Sequence, residues 1–185
     1  HTHNTRLAAY TTLVRHNQSW FNANTVQKLT AETAISTQIN ALCASGIHVE
    51  QWVPKTQING KSSDIRVLMI AGHPAVTLVR SSRSPITNLR LLNQRQDTDS
   101  LIQALSQPVW EQVLATCRRV AQLFPRSFYL GLDLAVNALF QRHWVLEVNG
   151  FGDFLKDITT PEGLTPYAAE IQQFPIWLRA QPSHL

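Results

Sequence analysis

The sequence predicts an α+β domain in which helices cover a sheet of antiparallel strands. Two apolar runs, residues 64–71 and 75–81, flank a Gly-His-Pro turn, which is the pattern of a β-hairpin. Apolar residues recur at helical spacing along residues 108–124. Neither a glycine-rich strand–helix turn nor a repeated strand–helix alternation occurs, and this disfavours a doubly wound nucleotide-binding fold.

The N-terminal part of the chain predicts one strand and one helix. Residues 5–14 alternate in the manner of a strand, and the polar residues 15–24 predict a loop. Residues 30–44 carry apolar side chains at helical spacing. Gly46 follows, where the C-terminus of a helix favours a left-handed residue.

The rest of the chain predicts strands and helices around the central hairpin. Residues 47–53 predict a short strand that ends at Pro54, and residues 55–63 predict a polar turn. The first turn of the helix at 108–124 tolerates Pro108. The other predictions are, in chain order, a loop, two strands and a final helix: residues 82–99, 128–136, 143–148 and 165–178.

Composition limits the classes of partner. The net charge is +4 over 185 residues, but the arginines form neither a run nor a helical stripe, which makes nucleic acid an unlikely partner. No apolar run approaches the length that spans a membrane. Cys43 and Cys117 lack metal or redox spacing, so we expect buried free thiols in a reducing, cytoplasmic compartment.

Oxygen-bearing side chains recur on the last two predicted strands. Glu147 and Asn149 are two residues apart, so they face the same side of a strand and form half of a site for a hard divalent cation. Asp133 interrupts an apolar run on the preceding strand, where it could bind metal, cap a turn or pair with an arginine. The alternative for Glu147 and Asn149 is a strand that ends in a polar turn.

Two arginines lie on the strands of the predicted hairpin. Arg66 and Arg80 would present planar guanidinium groups to phosphate or acylphosphate oxygens if they shared a face. The alternative is a pair of exposed strand arginines. Asp64 could pair with one of them, and Arg66 is the better candidate because Ile65 and Val67 leave it on the face of Leu68 and Ile70.

Four motifs, in order, resemble the second half of an ATP-grasp enzyme. They are Val-Glu-Gln-Trp-Val-Pro-Lys at 49–55, Asp-Ile-Arg at 64–66, Arg80 with Thr-Asn-Leu-Arg at 87–90, and Asp133 with Glu-Val-Asn at 147–149. The last motif and the Thr-Asn-Leu-Arg loop resemble a bacterial ATP-grasp family of unassigned reaction. The resemblance covers about residues 46–155. It implies that residues 46–185 form the C-terminal lobe and that residues 1–45 are the remnant of a preceding lobe.

The resemblance also implies roles for individual residues. Adenine and ribose would contact a hinge segment, with Trp52 packing on either the purine or the core. Without the resemblance, this segment would be taken as an amphipathic strand. Phosphate and substrate would contact arginines and an asparagine, and magnesium or manganese would bind three oxygen ligands. The hinge segment would comprise Glu50, Gln51, Trp52, Val53 and Lys55. The phosphate and substrate contacts would be Arg66, Arg80, Asn88 and Arg90. The metal ligands would be Asp133, Glu147 and Asn149.

By resemblance, the activity would be an ATP- and magnesium-dependent ligation of a carboxylate to an amine, or less often a thiol, through an acylphosphate. Two departures qualify it. Leu91, Leu92 and Asn93 stand where relatives carry glycines, and no lysine-bearing strand with a glycine-rich lid precedes Glu50. We therefore expect a fragment of a longer enzyme, inactive alone, that needs its missing N-terminal part. The alternative is a non-catalytic nucleotide-binding module.

Overall fold

The computed structural model describes residues 8–44, 46–87, 94–96, 98–151, 155 and 157–181. These residues form an α+β structure of antiparallel sheets and helices. The strands are β1 (Ala9–His16), β2 (Ser19–Leu29), β3 (Gln57–Ile58), β4 (Lys61–Ile70), β5 (His73–Ser82), β6 (Gln94–Gln96), β7 (Tyr129–Val136) and β8 (His143–Asn149). The helices are α1 (Glu32–Cys43), α2 (Thr98–Leu105), α3 (Gln107–Gln122) and α4 (Pro166–Ala180).

The N-terminal residues form a hairpin followed by a helix, rather than one strand and a helix. Strands β1 and β2 pair antiparallel, with His16 opposite Ser19. The loop predicted at 15–24 was wrong, because a strand with one solvated face can be largely polar. Helix α1 lies against this hairpin through Gln38, whose side-chain amide donates to the Thr11 hydroxyl at 2.6 Å.

The main sheet has the order β6-β5-β4-β7-β8, and every pairing in it is antiparallel. The predicted hairpin is confirmed as β4 and β5. They are joined by a two-residue turn at Ala71 and Gly72, whose φ angles of 52° and 82° are those of a type I′ turn. The strand predicted at 47–53 was wrong, since this stretch has no regular secondary structure.

A short strand, β3, pairs with the start of β4 instead. The preceding residue, Thr56, donates its backbone N–H to the carbonyl of Val136 at 2.7 Å and accepts from the N–H of Ser63. These two bonds attach the end of the irregular stretch to both β7 and β4. They thereby fix the position of Lys55 at the edge of the sheet face described next.

Helices α2 and α3 cover one face of the sheet. Its core combines alternate residues of β4 and β7 with the buried sides of both helices. The predicted helix at 108–124 is confirmed, with Pro108 in its first turn. Helix α2 was missed, and its first residues fall in the loop predicted at 82–99. Its side chains Leu101 and Leu105 are almost fully buried and belong to this core.

The opposite face of the sheet is divided into an apolar half and a charged half. The apolar half joins Leu68, Ile70, Val76 and Leu78 to Leu155 and to Ala169 of α4. Helix α4, predicted at 165–178, begins after Thr165, whose hydroxyl caps it by accepting from the N–H of Ala168. The charged half lies nearer the start of β4 and is bordered by a cleft, which is described below.

In the described part of the chain, no helix is long and apolar enough to cross a membrane.

The two cysteines differ in environment and give a test of the core. Cys117 lies fully buried beneath the sheet on α3, and burial raises the pKa of its thiol to about 12. Cys43, which was expected to be buried, is exposed at the end of α1. Because thiolate is the reactive form, we expect a thiol reagent at pH 8 to modify Cys43 rapidly in the native protein and Cys117 only after unfolding. Equal rates before denaturant is added would contradict the packing of α3.

Candidate functional site

The charged half of the sheet face is built from residues directly opposite one another on neighbouring strands. Asp64 on β4 pairs in register with Arg80 on β5, and Arg66 on β4 pairs with Asp133 on β7. Asp133 in turn lies opposite Glu147 on β8. Opposite residues of antiparallel strands share a face, and so do residues i and i+2 of one strand. The pair Asp64–Arg80 and the set Arg66–Asp133–Glu147 therefore form two adjacent rows of ionisable side chains that together extend over four strands.

Asp64 connects three parts of the chain and is only 2% exposed. Its Oδ1 accepts from Nε of Arg80 at 2.8 Å, and its Oδ2 accepts from Nζ of Lys55 at 3.0 Å and from the hydroxyl of Thr87. Lys55 also donates to that hydroxyl. Through these bonds, the carboxylate of Asp64 attaches Lys55 and Thr87 to the sheet. Asp64 pairs with Arg80 rather than with Arg66, the partner that was favoured from the sequence.

Asp133 binds both arginines. Nε and Nη2 of Arg66 donate to its two oxygens, the second at 3.1 Å, and Nη2 of Arg80 lies 3.0 Å from Oδ1. Pairing with an arginine was one of the roles that the sequence left open for this residue. Burial raises the pKa of the Asp133 carboxyl above its ordinary value, and the guanidinium groups of Arg80 and Arg66 oppose that rise.

The same contacts keep Arg80 protonated. Burial acts to lower its pKa, but the hydrogen bond to Asp64 and the charges of Asp64 and Asp133 outweigh burial and raise the pKa. The buried cluster thus holds the two cations Arg66 and Arg80 and the two anions Asp64 and Asp133, with Lys55 as a further cation at its edge. Among these five side chains one positive charge is in excess, but the carboxylates of Glu50 and Glu147 also line the adjoining cleft and offset it. An anion would therefore bind there most favourably together with a cation.

A cleft of about 610 Å³ opens beside this cluster. Pro85, Ile86 and Leu146 contribute apolar surface to it, and Asp64 and Thr87 lie in its wall. Eight of the residues predicted to form the site also line it: Glu50, Gln51, Trp52, Val53, Lys55, Arg80, Asp133 and Glu147. The fold therefore brings Glu50 and Glu147, which are almost a hundred positions apart in the sequence, into the wall of the same cleft.

The irregular stretch before Pro54 forms one wall of the cleft and is largely solvated. The Trp52 side chain is 63% exposed, so it does not pack into the core. The carboxylate of Glu50 lies 3.1 Å from Nε2 of His48, which also lines the cleft. An exposed indole beside an open cleft offers an aromatic surface for a planar ligand.

The predicted metal ligands lie on adjacent strands of one face. Glu147 is exposed opposite Asp133, and Asn149 is half-buried opposite Gly131. Among the described residues, Oδ1 of Asp133 accepts from both arginines and Oδ2 accepts one bond. A carboxylate oxygen has two lone pairs, so Oδ2 retains one acceptor position. Within the described ranges, no group of three His, Cys, Asp or Glu side chains is placed to hold a metal ion. A hard cation at this position would therefore depend on Glu147 and the amide oxygen of Asn149, with Asp133 as a shared third oxygen donor.

The other predicted residues divide into two groups. Arg66 and Asn149 lie on the same sheet face but do not line the cleft. Asn88 and Arg90 fall outside the described residues, as do the adjoining positions 91–93.

No family model matches this chain, and a search of curated proteins also gives no match. The geometry of the cleft adds three residues to those predicted for the site. Asp64 and Thr87 belong to motifs identified in the sequence but had been given no binding role, and His48 was missed. The Asp-x-Arg spacing already places Asp64 on the face of Arg66, because positions i and i+2 of a strand share a face.

We expect replacement of Asp64 to destabilise the protein strongly. Asp64→Asn leaves the buried guanidinium of Arg80 without its in-register carboxylate, and breaking a buried ion pair in this way costs about 3–5 kcal/mol. Urea unfolding measures the loss. Glu111→Gln, at an exposed carboxylate of α3, is the matched control and should change the free energy of unfolding by less than about 0.5 kcal/mol.

Adding Arg80→Met to Asp64→Asn should recover part of the lost stability, because it removes a buried cation that has lost one of its two carboxylates, while Asp133 keeps Arg66. If Asp64→Asn and Glu111→Gln have the same small effect, the buried cluster does not have the pairing described here.

Proposed function

We propose that this chain is the nucleotide- and metal-binding lobe of an ATP-dependent ligase of the ATP-grasp type, joining a carboxylate to an amine. The supporting observation is the single cleft shared by the hinge segment, the cations Lys55 and Arg80, and the carboxylates Asp133 and Glu147. Each motif alone is weak evidence. Their convergence on one cleft is what the resemblance requires, and it does not follow from their sequence positions.

The shape and polarity of the cleft suit a nucleotide. Its volume of about 610 Å³ lies within the range of roughly 300–1,000 Å³ that is usual for small-molecule sites. Trp52 and Val53, with Leu146 and Ile86, offer apolar surface for a base, and the backbone of the irregular stretch 50–53 belongs to no strand pairing. Lys55 and Arg80 supply cations at the sheet end, where phosphates would bind.

Magnesium would be held by Glu147 and Asn149, with an oxygen of Asp133 shared with the arginines. A bound magnesium ion would neutralise the phosphate oxygens during phosphoryl transfer. The chain's own residues would hold charge in fixed positions. Arg80, which lines the cleft, is oriented by Asp64 and Asp133, and Arg66 holds Asp133 from outside the cleft. Little reorganisation of Arg80 would therefore be needed when a phosphate or acylphosphate approaches it.

A non-catalytic nucleotide-binding module is the second candidate. Its specific support is the engagement of both Asp133 oxygens with arginines, which weakens this residue as a metal ligand. Such a module would bind nucleotide in the same cleft without releasing phosphate. Phosphate release from ATP on addition of a carboxylate and an amine distinguishes the two candidates, since only a ligase produces it.

Thermal unfolding with and without Mg-ATP tests the proposed site. Ligand at about 100 times its dissociation constant adds about 2.7 kcal/mol, which for a chain of this size raises the midpoint by roughly 5–10 °C. We expect Glu147→Gln to lose the magnesium-dependent part of the shift, because it removes an exposed carboxylate from the cleft. Glu111→Gln, on the surface of α3, should keep the full shift.

Two outcomes would contradict the proposal at different points. A full magnesium-dependent shift in Glu147→Gln would remove Glu147 from the metal site while leaving the nucleotide cleft in place. The absence of any shift with ATP, ADP or GTP would overturn both nucleotide-binding candidates.

A further inference from the structure

Gly131 lies at the boundary between the charged half and the apolar half of the sheet face. It is on β7 two residues before Asp133, opposite Leu68 on β4 and Asn149 on β8. Its φ is not positive, so its backbone conformation does not itself require glycine. Another physical reason must explain a glycine in the middle of a buried strand, where this residue weakens strand formation.

The space beside Gly131 is taken by Arg66. A Cβ added to Gly131 would lie 2.5 Å from Nη1 of Arg66 and 3.5 Å from its Cδ and Cζ atoms. A separation of 2.5 Å is shorter than a carbon–nitrogen contact allows, so any side chain at this position would displace the guanidinium.

Arg66 is not free to move aside. Its Nε and Nη2 atoms bind the two carboxylate oxygens of Asp133, and its side chain is about 9% exposed. Since the guanidinium is planar, displacing Nη1 also moves Nε and Nη2 away from those oxygens.

We propose that Gly131 is a positioning residue for Arg66. The missing side chain lets the guanidinium lie across β7, beside the β8 strand that carries Glu147 and Asn149. Arg66 does not line the cleft itself, so it would act on a bound phosphoryl group through Asp133, the carboxylate that it shares with Arg80 in the cleft wall. The identity of the anion rests on the proposed function, whereas the packing of Arg66 over Gly131 does not.

A double-mutant cycle in the ligand-free protein tests the packing. Gly131→Ala should lower the thermal midpoint by several degrees, although alanine alone would favour a strand over glycine. In an Arg66→Lys background the same substitution should cause no loss, because lysine has no Nη1 atom. Gly150→Ala is the matched control, since a Cβ there meets nothing within 4 Å.

Calorimetric titration with Mg-ATP tests the positioning role, which simple loss of stability would not mimic. We expect Gly131→Ala to weaken binding about tenfold, the effect of misplacing one charged hydrogen-bond donor. Adding Arg66→Lys to Gly131→Ala should restore part of the affinity, while Arg66→Lys alone should reduce it. Gly150→Ala should bind as the unmodified chain does.

The outcomes separate this inference from the proposed function. An equal change in midpoint for Gly131→Ala in both backgrounds would overturn the inference, whatever the chain binds. Unchanged Mg-ATP affinity in Gly131→Ala would overturn the positioning role. A clear coupling between Gly131 and Arg66 in a chain that binds no Mg-ATP would support the packing of Arg66 and overturn only the nucleotide as its ligand.

Discussion

Two buried carboxylates, Asp64 and Asp133, determine the arrangement of the site. Each is nearly inaccessible to water and is stabilised there by guanidinium groups from the neighbouring strands. Isolated charges in such a position would be costly, so the cluster persists only because its members are paired in register. Removing one member therefore affects β4, β5 and β7 together. Lys55 and Arg80 bring cations to the adjoining cleft, and Glu50 and Glu147 bring carboxylates, so the proposed occupant is an anion accompanied by a cation.

The same arrangement explains the division of the sheet face. Where β4 carries Leu68 and Ile70, the face is covered by Leu155 and by α4. Where β4 carries Asp64 and Arg66, the described residues leave a cleft, with Lys55 and Thr87 attached to Asp64 at its margin. A sheet can combine both environments on one face because its strands are long enough to carry an apolar and a charged segment in sequence. The opposite face, covered by α2 and α3, supplies the continuous core that fixes strand register beneath the site.

Much of the fold could be predicted because strong local signals coincide with the elements. Hydrophobic periodicity, with glycine and proline residues near the element ends, predicts the hairpin of β4 and β5, helix α3, strands β7 and β8, and helix α4. Strand β2 and helix α2 were missed because β2 is polar and α2 is short. The Asn59–Gly60 pair, with φ angles of 51° and 73°, was an available hairpin signal for β3. Residue types at the site were predictable, but the partner of each charge was not. The partners depend on the register between strands that are up to 67 residues apart, and a single sequence does not contain that register.

The central claim is that the buried arginine–carboxylate cluster forms the anion-binding end of a nucleotide site. Nitrogen-15 NMR of the arginine Nε–H groups tests it most directly, because Nε of Arg66 and Nε of Arg80 each donate to a buried carboxylate. These two resonances should be slow to exchange with solvent in the free chain and should shift on titration with Mg-ATP, while the exposed Arg83 should not respond. Rapid exchange at both positions, or shifts confined to exposed arginines such as Arg83, would contradict the account.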